Sequence, residues 1–431
     1  MSVRATLIIL LFATLLALIA GGIFIYKYRP TTAYVPSQPV IKNEEVVLAE
    51  STTTPLDIAV QELLEKSAEV IAQTQKFIQE IQTAKEKSSK VRGVYLNEFI
   101  ANSQTPIASK TRQDIVKLLD ETGLNSVVID IKEAYGPNLS LSLKTFINEL
   151  HRKDAWVIAR IVVFRDASLT NEKPHWYLTT TTDATSTDSG QATSTMVLWQ
   201  DNASQYWLDP KNEEVRNYLI EFSKKAVDYG FDELQFDYIR YPDDYDEVTG
   251  QEKIAWIGDF FAKLSQSLRE YKPSVILSVD IFGYVATQFQ SYEIGQRLVD
   301  AGRYFDYLSF MLYPSHFYGG FRVPADSARQ LPALYFPYQD ETTTSTAHLV
   351  SNNPYNVIFR SVLQAYDYFA LFGLPAKIRP WLQDFNLKAD TERGIFYDAE
   401  KIKAQIQAAE DAGTAGWLLW NSANIYTNIF I

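Results

Sequence analysis

Hydrophobic and polar residues follow two different patterns along this chain, one typical of strands and one typical of helices. From Val91 onward, short runs of β-branched and aromatic residues are separated by longer segments with helical periodicity, which predicts repeated β-α units and a parallel sheet. Eight strands followed by helices close most naturally into a barrel. The predicted fold class is therefore α/β, a (β/α)8 TIM barrel over residues 91–431, with a doubly wound open sheet as the alternative. The predicted strands are 93–99, 126–132, 156–164, 233–239, 275–283, 307–313, 377–385 and 416–421.

Amphipathic helical patterns fill the intervals between these runs. Clear examples lie at residues 109–123, 213–230 and 399–413. The last two end on Gly230 and Gly413, the residue type that most readily adopts a left-handed helix cap.

Two of the intervals are unusually long and polar. They span residues 166–207 after the third strand and 314–355 after the sixth. Both insertions are expected at the strand C-termini, where barrel enzymes keep their sites, and would be lids or surface decoration. Their Thr/Ser tracts, at 179–195 and 340–348, are interpreted as disordered decoration.

An almost unbroken apolar run opens the chain at residues 5–26. Its length suits a helix that crosses the hydrocarbon core, and it lacks the small-residue cleavage pattern of a signal peptide, which is the alternative. We predict a transmembrane anchor over residues 1–29 and a single-pass cell-membrane protein with its bulk outside the cytoplasm. The flanking charges, Arg4 against Lys27 and Arg29, nearly balance, so orientation rests on the short N-terminal tail and on the function argued below.

A linker and a helical stalk are predicted between the anchor and the barrel. Residues 30–55 are rich in Pro, Thr, Ser and Val without periodicity, which indicates an extended linker. Residues 56–90 form the stalk, interpreted as one amphipathic helix that packs on the barrel or acts as a spacer, with a coiled-coil dimer as the alternative. The helical seam consists of Leu56, Val60, Leu63, Ser67, Val70, Thr74, Phe77 and Ile81.

Composition and charge exclude several function classes. Hydrophobic residues make up 46% of the chain, enough for a sizeable core. With 40 Lys and Arg against 52 Asp and Glu, the net charge is -12 and no basic run stands out, so nucleic-acid binding is not expected. The chain has no cysteine and only 4 histidines, so no disulfide, thiolate chemistry or His-based metal site is predicted, and no cofactor is expected.

Polar side chains cluster near the ends of the predicted strands. A charged group there is costly to desolvate, so it serves either an ion pair or chemistry. Residue alternation places Asp130 on the same face as Lys132, and Gln235 on the same face as Asp237. The candidates for substrate binding are Tyr95, Lys132, Arg240, Tyr313, His316, Trp381, Gln383, Asp384, Trp420 and Asn421.

Three aspartates are the candidates for catalysis. Glycosidic bond cleavage needs one carboxyl group to protonate the leaving oxygen and another to act as nucleophile or base, and Asp237, Asp280 and Asp130 could supply them. Asp237 is preferred because neighbouring Arg240 could hold it ionised while a less solvated partner stays protonated. Which aspartate takes which role stays open.

Structural roles compete with each of these assignments. Asp237 with Arg240, and Asp130 with Lys132, could be ion pairs that only stabilise the barrel. The tryptophans are as easily explained by packing as by stacking on sugar rings, His316 could be an ordinary loop residue, and Asp384 could cap the next segment.

Seven segments of the chain resemble one bacterial family, described as a putative glycosyl hydrolase domain and catalogued as a domain of unknown function. The resemblance spans residues 91–426 and implies a TIM barrel with a carbohydrate-related role. The Thr-rich insertions depart from the usual pattern of this family. The matching segments are 91–99, 118–136, 229–244, 277–286, 305–320, 379–385 and 416–426.

The residues and the resemblance together predict a glycoside hydrolase that acts on a cell-envelope or extracellular polysaccharide. A catalytically inactive barrel that binds glycan and tethers the envelope is the main alternative. A metal-assisted hydrolase that uses clustered aspartates is a third possibility. The sugar, the linkage, the stereochemical outcome and the oligomeric state stay open.

Overall fold

The computed structural model describes residues 55–185, 192–342 and 344–426. In this part of the chain, no helix is long and apolar enough to span a membrane. The predicted anchor at 1–29 and the linker up to residue 54 lie outside the described residues.

Eight parallel strands close into a ring, as the hydrophobic runs predict. Each strand pairs with the next along the chain, and β8 returns to pair with β1, so the sheet is a barrel and not an open sheet. Pro380 lacks an amide N–H and divides β7 into two short pieces. The strands are β1 Val91–Leu96, β2 Ser126–Glu133, β3 Trp156–Val162, β4 Glu233–Asp237, β5 Ile276–Phe282, β6 Tyr307–Leu312, β7 Lys377–Ile378 with Trp381–Gln383, and β8 Gly416–Trp420.

Closure of the ring depends on a glycine at the start of β8. Gly416 has φ +93°, and a Cβ built on it would lie 1.8 Å from the carbonyl oxygen of Val91 in β1. Any larger residue would push apart the two strands that complete the barrel.

Helices follow the strands and begin at residues suited to capping. Thr249 and Glu252 form a capping box, Asn212 accepts from two backbone N–H groups, and Gly230 ends its helix with φ +104°. The helices are α1 Pro55–Ser88, α2 Glu98–Asn102, α3 Pro106–Glu121, α4 Leu141–Arg152, α5 Glu213–Tyr229, α6 Gly250–Tyr271, α7 Val285–Gln288, α8 Leu298–Tyr304, α9 Pro354–Phe372, α10 Lys388–Thr391 and α11 Ala399–Asp411.

The Thr-rich tract after β3 is not disordered where the structure describes it. Residues Thr179–Thr185 pair with Ala192–Leu198 as an antiparallel hairpin. Threonine is β-branched and favours extended backbone, so a Thr-rich segment can form strands when it has a partner.

The second tract is also ordered in its described residues. Asp340 accepts hydrogen bonds from the backbone and hydroxyl of Thr342 and lies 2.9 Å from the His348 ring nitrogen. The interpretation of the two tracts as disordered is therefore wrong for these parts.

The N-terminal end of the barrel is closed around a buried ion pair. Glu233 at the start of β4 and Arg379 between the two pieces of β7 are fully buried, and their charged atoms are 2.8 Å apart. Arg379 also donates to the carbonyl oxygen of Ser88, the last residue of α1, whose hydroxyl lies 2.9 Å from the hydroxyl of Tyr307. The end of the predicted stalk is thereby tied to the floor of the barrel.

The seam of the stalk is largely exposed. Val60, Leu63 and Val70 are each about half exposed or more. Whether a second copy covers this seam stays a prediction.

We expect Glu233→Gln to destabilise the barrel strongly, because the Arg379 charge would remain buried without a counter-ion. The loss of unfolding free energy in urea should be about 3–5 kcal/mol. Glu410→Gln is the matched control, since it removes the exposed pair with Arg92 and should cost no more than about 1 kcal/mol. Equal losses in the two variants would contradict the account of the barrel floor.

Candidate active site

One arginine lies at the centre of the C-terminal end of the barrel. The Arg160 side chain of β3 is almost fully buried. Its Nη1 donates to Asp130 Oδ1 at 2.6 Å and to Glu133 Oε1 at 2.9 Å, while Nη2 and Nε donate to Asp237 Oδ2 at 2.6 and 3.1 Å. Its Nε also lies 3.7 Å from Asp280 Oδ2. Four carboxyl groups from three strands therefore converge on one guanidinium.

The three predicted catalytic aspartates do meet, but their cation is not the predicted one. Asp237 pairs with Arg160 of the neighbouring strand and not with Arg240, which follows it in sequence. The reason is register: β3 lies beside β4, and alternation turns Arg160 and Asp237 into the same barrel interior. Arg160 was missed, although a lone arginine in the apolar run of residues 156–164 was a usable signal.

Asp237 accepts hydrogen bonds on both of its oxygens. Its Oδ2 accepts two hydrogen bonds from Arg160, and its Oδ1 accepts one from the backbone N–H of Tyr238 at 2.6 Å. Tyr238 has φ +49°, a left-handed conformation that is unusual for a tyrosine and costs about 1–3 kcal/mol. The strained residue directly follows the candidate catalytic carboxylate.

Asp280 has the opposite environment. It is 1% exposed; its Oδ1 accepts from the Trp381 indole N–H at 2.8 Å, and its Oδ2 is buried without a hydrogen-bond partner among the described residues. Burial, followed by the charge of Asp237, raises the pKa of Asp280 well above its usual value, against the opposing effects of Arg160 and Trp381. A buried oxygen without a donor suits a protonated carboxyl group.

Asp130 lies beside this pair but deeper. The Tyr95 hydroxyl donates to its Oδ2, and burial raises the pKa of Asp130 to about 8 despite the adjacent Arg160. Asp130 does not line the pocket described below. It holds Arg160 in place from the side opposite Asp237.

Asp130 and Lys132 do not form the ion pair that was the alternative to their roles in the site. A β-bulge in the β2 to β3 ladder falls between these two residues, so their side chains diverge. Lys132 is fully buried, 2.8 Å from Asp166 Oδ2, and donates to the carbonyl oxygen of Val162. Lys132 therefore stabilises the loop after β3 and lies outside the pocket.

A pocket of about 240 Å³ opens above Asp237 and Asp280. Five predicted binding residues line it: Arg240, Tyr313, His316, Trp381 and Trp420. Sequence reasoning missed its other walls, which are Arg160, Tyr238, Phe282, Gln296 and Met311.

The tryptophans have different surroundings. Trp381 is 1% exposed, so its ring offers no open face, and its contribution is the hydrogen bond to Asp280. Trp420 is half-buried, and its ring centre lies 4.0 Å from that of Tyr95 at a tilt of 31°. The ring of Trp420 is therefore the better candidate for contact with a sugar.

Four further predicted binding residues lie outside the pocket lining, each with internal contacts. Tyr95 bonds to Asp130, as above. Gln383 is fully buried and its amide links Ser315 to β7. Asn421 donates to the backbone oxygen of Asp384, which is itself 2% exposed. These contacts support the shape of the site.

No group of three or more metal-binding side chains arranged for an ion is present in the described part of the chain. The positive charge among the four carboxyl groups is supplied by Arg160.

A closed parallel barrel with two carboxyl groups in unlike environments at the C-terminal mouth has the groups that a barrel glycosidase needs. Residues 93–426 match the family described as "Putative glycosyl hydrolase domain". The chain belongs to this family, as the seven resembling segments predict, and the family's description names a class of glycosyl hydrolases without a substrate.

Comparisons with solved structures and curated proteins add no assignment of function. A hypothetical protein from Ruminiclostridium thermocellum is 31% identical over 43% of this chain and 96% of its own, with a TM-score of 0.34. An alpha-galactosidase from Thermus thermophilus is 14% identical over 79% of this chain and 59% of its own, with a TM-score of 0.43. An alpha-amylase from Lactobacillus plantarum is 14% identical over 78% of this chain and 72% of its own, with a TM-score of 0.46. A search of curated proteins gave no match.

We expect Asp280→Asn to stabilise the protein increasingly as pH rises. The folded state keeps a proton on Asp280 that the unfolded chain releases above about pH 4, so wild type loses stability up to the raised folded pKa, at roughly 1.4 kcal/mol per pH unit. Asparagine cannot ionise and avoids this loss. The difference in melting temperature between variant and wild type should grow as pH rises above about 4, until the raised folded pKa of Asp280 is reached.

Asp114→Asn, at an exposed position of α3, is the control and should show a difference that stays small across this range. A constant difference for Asp280→Asn would mean that Asp280 is ionised in the folded protein.

Proposed function

We propose that this protein hydrolyses glycosidic bonds with Asp280 as the general acid and Asp237 as the nucleophile. The observation that carries the proposal is the contrast between the two side chains within one pocket. Asp280 has a raised pKa and a buried Oδ2 without a hydrogen-bond partner among the described residues, whereas Asp237 accepts three hydrogen bonds on its two oxygens. Glycoside hydrolysis requires this division between a proton donor and an ionised carboxylate.

We propose a retaining mechanism, because both carboxyl groups approach the same arginine nitrogen, which limits how far apart they lie. Asp237 Oδ2 and Asp280 Oδ2 lie 3.1 and 3.7 Å from the same nitrogen of Arg160. An inverting enzyme needs a separation of about 6.5–9.5 Å to admit a water molecule, while a nucleophile acts at about 5 Å. Asp237 would attack the anomeric carbon as Asp280 protonates the leaving oxygen, and Asp280 would then activate the water that releases the sugar.

Asp130 and Tyr95 are positioning residues in this mechanism. Asp130 holds one end of the Arg160 guanidinium, whose other end holds Asp237. The ring of Trp420 at the pocket wall would contact the sugar face.

The substrate we propose is a polysaccharide of the cell envelope or the extracellular space. This part rests on the apolar run at residues 5–26, which would anchor the chain in the cell membrane with its bulk outside. The helix at Pro55–Ser88 would separate the barrel from the membrane.

An inactive glycan-binding barrel is the second candidate. It is favoured by the ion pairs that tie both Asp130 and Asp237 to Arg160, since a fixed cation reduces the nucleophilicity of a carboxylate.

Asp237→Asn and Asp280→Asn should each lower reducing-sugar release from polysaccharide by at least about a hundredfold, because each removes one of the two groups that the reaction needs. The measurement is kcat/KM on a panel of peptidoglycan and exopolysaccharide preparations. The first product should have the anomeric configuration of the substrate by NMR. Asp114→Asn, on the surface of α3, is the control and should retain wild-type activity.

Two outcomes would contradict the proposal. If wild type and both variants bind glycan equally and none releases sugar, the protein is a binding barrel. If chelators abolish activity and a divalent cation restores it, the metal-assisted hydrolase replaces the paired-carboxylate mechanism.

A further inference from the structure

Arg240 is a buried cation in the wall of the candidate pocket. It follows β4 by three residues, is 9% exposed and lines the same pocket as Asp237 and Asp280. In a chain with a net charge of -12, a positive group so close to the candidate catalytic pair needs a physical explanation.

The guanidinium of Arg240 has no ion-pair partner among the described residues. No Asp or Glu oxygen there lies within 4.0 Å of it, and its one hydrogen bond runs from Nη1 to the backbone oxygen of Tyr241 at 2.7 Å. The nearest charges include Asp243 and Asp237, which act on it only from a distance. Its remaining N–H groups have no hydrogen-bond partner among the described residues.

The groups that surround this cation are aromatic rings and not carboxylates. Its guanidinium carbon lies 5.0 Å from the ring centre of Trp207, 5.4 Å from that of Tyr238 and 4.8 Å from that of Phe282. Rings stabilise a cation and keep water away from it, which strengthens its interaction with any anion that enters. Burial lowers the pKa of Arg240, whereas nearby carboxylates raise that of Arg160.

The other buried arginines of the described residues are paired with carboxylates or bonded to backbone oxygens, although the Nε of Arg379 has no hydrogen-bond partner there. Arg160 and Arg379 pair with carboxylates. Arg360 has no carboxylate pair, but its two terminal nitrogens donate to the backbone oxygens of Pro332 and Pro324, each at 2.6 Å. Arg240 differs from all three because it combines an unused donor set with an open pocket.

A second arginine continues the positive charge toward the rim. Arg165 lies on the Tyr238 ring at 4.5 Å and donates to the Tyr238 hydroxyl at 2.9 Å. Its Nε is buried without a hydrogen-bond partner among the described residues, and its charge acts on Glu133 from a distance. Tyr238 is thus flanked by two guanidinium groups.

We propose that Arg240 binds the carboxylate of an acidic sugar unit next to the scissile bond, so that the substrate is a carboxylated polysaccharide. The planar guanidinium is suited to a carboxylate, which it can bind through two hydrogen bonds. The carboxylate could belong to a uronic acid or to the lactyl group of a muramic acid. This inference rests on the proposed function for its reference to a scissile bond.

The test measures binding and hydrolysis separately. Binding is measured by calorimetry with the full chain carrying Asp280→Asn, so that no turnover occurs. The probes are polygalacturonate, alginate, hyaluronan and peptide-free peptidoglycan strands, each compared with its carboxyl-reduced form. At least one native polymer should bind about tenfold or more tightly than its neutral form, as expected for a charge-assisted hydrogen-bonded pair. The polymer that does so distinguishes a uronic acid from a muramic acid.

Arg240→Gln should abolish this preference while leaving affinity for the carboxyl-reduced polymer within about twofold. Arg240→Lys should keep part of the preference, because the charge remains but the two-bond geometry is lost. Arg329→Gln, which removes an exposed cation paired with Asp326 and Asp367, is the matched control and should keep the preference.

Equal binding of all native and reduced polymers would overturn the acidic-substrate inference. So would an equal loss of affinity for native and reduced polymer in Arg240→Gln, because it would indicate that Arg240 serves packing. Hydrolysis of a neutral polymer by wild type, without carboxylate preference, would overturn this inference but leave the proposed hydrolase intact. Carboxylate-selective binding without sugar release from any probe would overturn the hydrolase proposal alone.

Discussion

The candidate site depends on one buried guanidinium. Placing Arg160 inside the barrel is costly unless carboxylates compensate it, and four carboxyl groups around one cation cannot all ionise at equal cost. The contacts of the individual carboxyl groups differ. Asp237 accepts two hydrogen bonds from Arg160, and the Oδ2 of Asp280 lies 3.7 Å from Arg160 without a hydrogen-bond donor among the described residues, which suits the acid of the proposed mechanism.

Buried charged residues lie at both ends of the barrel, but their pairing differs between the two ends. At the N-terminal end, Glu233 and Arg379 form a matched and fully buried pair with further hydrogen bonds, an arrangement suited to stability. At the C-terminal end, carboxyl groups outnumber the central cation and one buried oxygen has no partner. An excess of buried carboxyl groups lowers the free energy of unfolding, and proteins retain it where a reaction requires these groups. The left-handed Tyr238 adds local strain at the same end.

Much of the fold could be predicted from the sequence, because most strands are largely hydrophobic runs that are buried along their length. The convergence of Asp130, Asp237 and Asp280 could be predicted for a related reason: parallel strands bring their C-terminal residues to one mouth.

The partner of each charge could not be predicted. Arg240 is near Asp237 in sequence, but strand register brings Arg160 closer in space. The bulge after Asp130, which sends Lys132 to Asp166, leaves no clear pattern in the hydrophobic positions. Gln383 and Asn421 resemble binding residues in sequence, and only the hydrogen bonds show that their amides are used internally.

The most direct test of the account is the ionisation state of Asp280 at neutral pH. The measurement is the infrared difference spectrum between wild type and Asp280→Asn, both prepared with isotope-labelled aspartate. The account predicts that the substitution removes a protonated-carboxyl C=O band, since Asp280 stays neutral beside an ionised Asp237. Loss of an ionised-carboxylate band in its place would show that the two groups do not divide the roles of acid and anion.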